Sequence, residues 1–190
     1  MIKETDYLIV GAGAMAMAFA DTILKEQPNS TIALVEKRSA PGGHWLDAYP
    51  YVRLHQPASF YGVNSEKLET HSGDLSSKQE ILAYYSRVLY RMENAGRVKF
   101  FGMMEHTGNG NVRSIVDPNK KIKFRIKKRL VDSTYMKVEV PSTTRPNFEV
   151  SKNVNLVPPN HLFSLSAGYD RYNIIGCLLY TSDAADDKCS

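Results

Sequence analysis

The chain has 190 residues, 43% of them hydrophobic and 23% charged, with a formal net charge of +4. That is the balance of an ordinary globular protein with room for one domain or slightly more. Its two cysteines, Cys177 and Cys189, exclude a disulfide framework and a metal quartet, and no apolar run reaches the roughly 18 residues that span a membrane. There is no internal repeat, heptad pattern or low-complexity tract. No secretory leader fits ahead of a first strand that starts so close to Met1, so a reduced, cytoplasmic setting is expected.

Asp6 to Glu36 carries the strongest local signal. Tyr7 to Val10 is an apolar run without polar alternation, as in a parallel strand buried on both faces. Gly11-Ala12-Gly13 follows, then a helical stretch from Ala14 to Leu24 with Met15, Phe19, Ile23 and Leu24 at helical spacing. Pro28-Asn29-Ser30 breaks it, and Thr31 to Val35 forms a second strand with Glu36 at its carboxyl end. This βαβ unit contains G-x-G-x-x-A, the dinucleotide fingerprint with alanine third. Gly11 permits the tight turn, Gly13 lets a pyrophosphate approach the backbone, and Ala16 allows close helix–strand packing. The amides at the helix start, around Ala14 and Met15, attract an anion. Glu36 is placed to accept hydrogen bonds from ribose hydroxyls and to repel a 2′-phosphate, which favours FAD or NAD over NADP; the neighbouring Lys37 and Arg38 act against that preference.

Lys37 to Trp45 is a loop with adjacent glycines, Gly42 and Gly43, followed by His44 and Trp45, the single tryptophan. Glycines allow backbone amides close to a ligand, and the indole can wall a planar ring; a plain turn beside one buried aromatic is the alternative. Asp47 to Gly62 is rich in aromatics and proline, with Arg53 and His55 among them. It reads either as the looped wall of a ligand pocket or as an irregular packed connection.

Ser77-Lys78-Gln79-Glu80 is a capping box opening a helix whose broad apolar face is Ile81, Leu82, Tyr84, Tyr85, Val88, Leu89 and Met92, ending at Gly96. That face is structural core. Val98 to Thr134 reads as strands with turns at Asn109-Gly110-Asn111 and Asp117 to Lys120, with Val112, Ile115 and Val116 strand-like between them. From Lys121 to Arg129, Ile122, Phe124 and Ile126 alternate inward and Lys121, Lys123, Arg125 and Lys127 outward, a half-buried strand of an antiparallel meander. The basic outer face lacks aromatic interleaving and reads as a solvated strand face rather than a nucleic-acid surface. Arg129 to Tyr135 reads as the strand returning to the parallel sheet, Val157 to Leu162 as a crossover linker, and Tyr172 to Gly176 as a fresh apolar strand.

Gly42-Gly43-His44-Trp45, then Tyr49-Pro50-Tyr51-Val52-Arg53-Leu54-His55 and Tyr61, following a nucleotide-binding βαβ unit, resemble the class B flavoprotein monooxygenases, which include flavin-containing and Baeyer–Villiger enzymes. Their pattern is G-G-x-W, then Y-P-G-x-R-x-D with a tyrosine six residues on. The resemblance implies FAD contacts at Gly42, Gly43, Trp45, His55 and Tyr61, with His44 and Arg53 adjoining. Tyr51 stands where the family has glycine, and His55 where it has aspartate, which makes this a divergent branch. The family also implies a β-meander inserted in the FAD domain, a strand beside the FAD near Val131 to Thr134, and a second fingerprint, for NAD(P)H, after Gly176. Here no second glycine follows, and Cys177 to Ser190 resembles translated adapter sequence appended to truncated reading frames.

These readings together predict an α/β fold: a Rossmann-like FAD-binding domain, residues 1–157, with a parallel sheet in three layers and an antiparallel meander at about 98–128. Residues 158–176 cross into a truncated NAD(P)-binding domain, and 177–190 are an artefactual tail. The expected cofactor-binding residues are Gly11, Gly13, Ala14, Met15, Glu36, Lys37, Gly43, His44, Trp45, Arg53, His55 and Tyr61. Arg53 and His55 lie nearest the expected flavin, but no catalytic acid or base is assigned. The expected partner is a small-molecule substrate, with no nucleic acid, membrane or metal, and NAD(P)H serves the intact parent.

Overall fold

The computed structural model of the protein describes residues 2–68, 75–135 and 144–161. The chain forms two compact units, 1–137 and 138–190. The first closes about where the last sheet strand ends. Of the second unit, the described part is a largely exposed segment with a single 3-10 turn at Pro159–His161. The expected strand at Tyr172 to Gly176 and the tail Cys177 to Ser190 lie outside the described residues.

In the first unit the elements run β1 (Ile2–Val10), α1 (Ala14–Glu26), β2 (Ile32–Val35), β3 (Gly62–Val63), β4 (Glu66–Lys67), α2 (Lys78–Asn94), β5 (Val98–Phe101), β6 (Met104–Gly108), β7 (Asn111–Ser114) and β8 (Lys121–Asp132). The main sheet has the order β5-β2-β1-β8-β7-β6. β5, β2, β1 and β8 are mutually parallel, and β8, β7 and β6 are antiparallel. The fold is therefore α/β, with a mostly parallel sheet joined to an antiparallel meander, as expected.

The three layers follow from side-chain alternation. Tyr7, Ile9, Ile32, Leu34 and Val98 point to one face, where they pack with Ala16, Met17, Ala20 and Ile23 of α1 and Ile81, Tyr84, Val88 and Met92 of α2. Leu8, Ala33 and Val35 point to the other, against Met104, Val112, Ile122 and Phe124 of the meander. β2 is buried at every position, which is why it reads as an unbroken apolar run.

Four details differ from the sequence reading. Val98–Phe101 is not the first strand of the meander but the edge strand of the parallel sheet, registered Ile32↔Val98 to Val35↔Phe101; apolar content does not tell parallel from antiparallel pairing. The meander thus begins at Met104. Its last strand and the returning strand are a single twelve-residue strand, β8. It pairs antiparallel with β7 over Lys121–Lys123 and parallel with β1 from Lys123 to Asp132. Ile115 and Val116 lie in the exposed turn beyond β7. Met15 is 74% exposed, because the core face of α1 is Ala16, Met17, Ala20, Asp21 and Ile23 rather than the stripe starting at Met15.

The basic face of β8 is largely engaged within the protein. Arg125 and Lys127 each reach Glu4 at 3.2 Å, and Lys123 Nζ donates to Asn109 O. Among the described residues no helix is long and apolar enough to cross a membrane.

α2 begins with the expected capping box. Ser77 N–H donates to Glu80 Oε2 at 2.7 Å, and Glu80 N–H donates to Ser77 Oγ at 3.3 Å. The helix start also braces the chain before it: Lys78 Nζ donates to Leu46 O and Ala48 O, and Gln79 Nε2 donates to Pro50 O. Replacing Ser77 with alanine is expected to cost about 1 kcal/mol, and with glycine a few tenths, measured by urea denaturation.

Candidate dinucleotide-binding site

The carboxyl ends of β1 and β2 meet two glycine-bearing loops. Off β1, Gly11 has φ +95°, and a Cβ there would stand 2.8 Å from Ser133 Oγ. That hydroxyl donates to Val10 O at 2.6 Å, so the continuation of β8 closes over the turn and only glycine fits beneath it. Gly13 is the N-cap of α1, and no side chain caps this end. The first intrahelical bond is from Met17 N–H to Gly13 O at 3.0 Å. The amides of the first turn, from Ala14 to Ala16, therefore have no helical acceptor and present a partial positive charge.

The second loop lies against the first. Gly42 and Gly43 have φ +129° and +58° and lead into the 3-10 turn Gly43–Leu46. Gly42 N–H donates to Ala12 O at 2.8 Å. A Cβ on Gly43 would stand 2.9 Å from Gly13 Cα, and one on Gly42 would stand 2.5 Å from Leu82 Cδ2 of α2. Gly13 differs from both. Its φ of −80° suits any residue, and a Cβ there would meet only Gly43 Cα, at an ordinary 3.6 Å. The fold needs glycine at 11, 42 and 43; it does not need glycine at 13.

Glu36 is buried, with 4% of its surface exposed. Its Oε2 accepts from Ala12 N–H at 2.7 Å and its Oε1 from Arg38 N–H at 2.9 Å. The carboxylate expected to await a ribose thus ties the fingerprint loop to the end of β2. Each oxygen still has a lone pair to offer. Beyond it, Lys37 Nζ lies 2.9 Å from Glu105 Oε1, and the Arg38 guanidinium grips the Asp47 carboxylate through Nε and Nη2.

His44 stacks on Trp45, with ring centroids 5.6 Å apart and planes at 28°. Trp45 packs partly against the main core. Desolvation and, secondarily, the nearby Arg38 guanidinium hold the His44 pKa below the ordinary histidine value.

The remaining expected residues lie on the irregular segment between Asp47 and β3. Arg53 Nη1 donates to Leu75 O at 2.9 Å beside the start of α2, and Tyr61 Oη donates to Gln56 Oε1 at 2.6 Å. His55 is exposed. Gly11, Gly13, Ala14, Glu36 and Gly43 are thus brought together directly, with His44 and Trp45 on the same turn as Gly43. Met15 projects into solvent from the helix start, Lys37 is drawn toward β6, and the side chains of Arg53 and Tyr61 bond to Leu75 and Gln56. Sequence reasoning missed the backbone of Ala12, which joins Glu36 to Gly42, and Leu82, which faces Gly42. It also missed the Arg38–Asp47 pair. A groove of about 590 Å³ opens elsewhere, toward the amino ends of the parallel strands, around Lys3, Thr5, Ala33, Lys99, Phe101 and Phe124. Ligands of parallel α/β sheets bind at the carboxyl ends of the strands, where the glycine loops lie and this groove does not.

No protein-family model matches the chain. It is 38% identical to an uncharacterized protein of Mycobacterium tuberculosis over 97% of its own length. It spans 37% of that relative's length. It is 31% identical to the probable FAD-binding monooxygenase AlmA of Acinetobacter baylyi over 53% of this chain and 20% of AlmA. By fold it is similar to a flavin-containing monooxygenase from Stenotrophomonas maltophilia, with TM-score 0.51 and 18% identity over 70% of this chain and 38% of that one. It is equally similar to a bacillithiol disulfide reductase from Staphylococcus aureus, with TM-score 0.51 and 12% identity over the same shares. The fold is accordingly that of the Rossmann-like FAD-binding flavoproteins.

Two outcomes follow from this geometry. Gly43→Ala combines a left-handed backbone with a backbone clash and is expected to destabilise the chain by about 2 kcal/mol in denaturant unfolding. Because the folded His44 pKa lies below its unfolded value, the unfolded chain binds more protons in the interval between them. Stability therefore falls as pH drops below about 6.5 and levels off beneath the folded pKa. A His44→Gln variant loses that component of the pH profile, read as melting temperature against pH.

Proposed function

We propose that the chain is the FAD-binding part of an NAD(P)H-dependent flavoprotein oxidoreductase of the monooxygenase kind. The observation that carries this reading is Gly13, a glycine the fold does not require, set before an uncapped helix start and opposite Gly43. A backbone kept bare without a structural need fits close approach by a ligand, and the unpaired amides suit an anion such as a diphosphate. The 31% identity to a probable FAD-binding monooxygenase supports the choice of FAD.

In this reading Gly13 and the amides of Ala14 and Met15 hold the diphosphate, and Glu36 accepts from the adenosine ribose. Gly42 and Gly43 close the site from the other side, with His44 and Trp45 as a flat wall. Arg53, His55 and Tyr61 belong toward the flavin end, as the family pattern implies. Bound FAD supplies two-electron transfer; the chain's residues bind it and orient it, and the Ala12 and Arg38 amides fix the Glu36 carboxylate in place. The electron donor NAD(P)H and a small organic substrate belong to the intact parent, in a cytoplasmic setting. A reductase or dehydrogenase without oxygen insertion is the alternative, favoured by the histidine at 55 where the resembled monooxygenases have aspartate.

Titrating the 190-residue chain with FAD is expected to give saturable quenching of flavin fluorescence. Gly13→Ala is expected to weaken FAD binding about tenfold or more, equivalent to about 1.4 kcal/mol, with unchanged thermal unfolding. No uptake of FAD or any adenine nucleotide by the wild type, or equal FAD binding by Gly13→Ala, overturns the reading. Oxygen uptake with NADPH by the intact parent separates a monooxygenase from a reductase.

A further inference from the structure

Glu36 is followed by two cations, Lys37 and Arg38, at the place where an adenosine ribose would lie. A carboxylate there refuses a 2′-phosphate, whereas a free guanidinium accepts one. The sequence alone leaves these influences opposed. In the fold both cations are already claimed. Arg38 Nε donates to Asp47 Oδ1 at 3.1 Å, its Nη2 holds Asp47 Oδ2, and its Nη1 lies 3.5 Å from Glu36 Oε1. Lys37 Nζ lies 2.9 Å from Glu105 Oε1. Glu105 Oε2 accepts from Arg113 Nε at 3.0 Å and Nη2 at 2.8 Å. Three carboxylates, Glu36, Asp47 and Glu105, thus balance three cations, Lys37, Arg38 and Arg113.

The two acids come from different elements. Asp47 ends the 3-10 turn that begins at Gly43. Glu105 lies on β6, which is tied to the tip of β2 by Met104 N–H to Glu36 O at 2.9 Å and by Met103 N–H to Arg38 O at 3.0 Å. Both pairs are partly solvent-facing, with side-chain exposures of 38% and 61% for Arg38 and Asp47 and 66% and 25% for Lys37 and Glu105. Ion pairs that exposed add little to stability. Their consistent effect is to orient charge beside Glu36.

We propose that Asp47 and Glu105 determine specificity at this site: by sequestering Arg38 and Lys37 they make it accept an adenosine nucleotide with a free 2′-hydroxyl and refuse one bearing a 2′-phosphate. This rests on the dinucleotide reading above and adds to it the residues that set the preference. Because the pairs are exposed, neutralising the acids leaves the fold intact while returning two cations to the ribose end.

The test is calorimetric titration of the full chain with 5′-ADP and with adenosine 2′,5′-bisphosphate at low salt, where exposed charges are least screened. The wild type is expected to prefer 5′-ADP by about tenfold or more. The double variant Asp47→Asn, Glu105→Gln is expected to lose or reverse that preference, and adding Lys37→Ala and Arg38→Ala to it is expected to restore the preference. Should the double variant fail to fold, Asp47→Asn alone is expected to shift the ratio in the same direction. A wild type that takes both nucleotides equally overturns the proposal. So does a folded variant that keeps the wild-type ratio. If the wild type binds neither 5′-ADP nor FAD, the dinucleotide reading itself falls; if it binds 5′-ADP but the substitutions leave the ratio unmoved, only the present proposal falls.

Discussion

The contact between the backbones of Gly13 and Gly43 governs the rest of the candidate site. A side chain on Gly43 would stand 2.9 Å from Gly13 Cα, so the second loop reaches the first only because Gly43 carries none. The meeting is held from three directions. Gly42 donates to Ala12 O, Glu36 accepts from Ala12 N–H, and Leu82 of α2 lies against Gly42. Loops that approach this closely stay together only if their backbone polar groups are satisfied, and Ala12 shows how. Its carbonyl serves one loop and its amide the carboxylate at the end of β2. Separating Gly42 from Gly13 would free the Ala12 carbonyl and uncover part of the apolar face of α2.

The meander matters to this site for a structural reason. β8 runs through both parts of the sheet, antiparallel to β7 at its start and parallel to β1 along the rest. Through that single strand the meander covers the face of the parallel sheet opposite the helices, with Met104, Val112, Ile122 and Phe124 against Leu8, Ala33 and Val35. The same course carries β6 past the tip of β2, so Glu105 reaches Lys37, and Ser133, just after β8, closes over Gly11. Thus the covering layer also supplies charge and shape to the ends of the parallel strands.

The βαβ unit was legible because its signals are local: an apolar run, a glycine turn, a helix and a second apolar run, all within thirty residues or so. The capping box at Ser77 was legible for the same reason. What escaped were features that depend on distant pairing. Lys3, Glu4, Thr5 and Asp6 do not look like strand, yet β1 starts at Ile2 because β8 supplies its partners from Lys123 onward. Val98 to Phe101 has a strand's composition, but only its register with β2 reveals a parallel edge. Ile115 and Val116 are β-branched and still lie in a turn, where local propensity yields to chain reversal. In the site, the glycines and Glu36 were readable as residue types at known spacing. The bond from Glu36 to Ala12 and the grip of Arg38 on Asp47 were not, because the path of residues 39–46 decides them and no periodicity encodes that path.

That path bears on how Glu36 is held. A carboxylate this buried is stable only when its charge is met by donors, and here backbone amides from both sides meet it. The carboxylate at the tip of β2 is therefore held by the protein itself, already desolvated and oriented. What remains adjustable lies outside the buried contact. Arg38 and Lys37 are exposed, long and rotatable, and whether their charge adds to Glu36 or opposes it depends on which acids stand within reach. A buried carboxylate that sets position, beside more exposed pairs that set charge, lets the charge at this end of the candidate site vary by surface substitution while the glycine loops keep their fold.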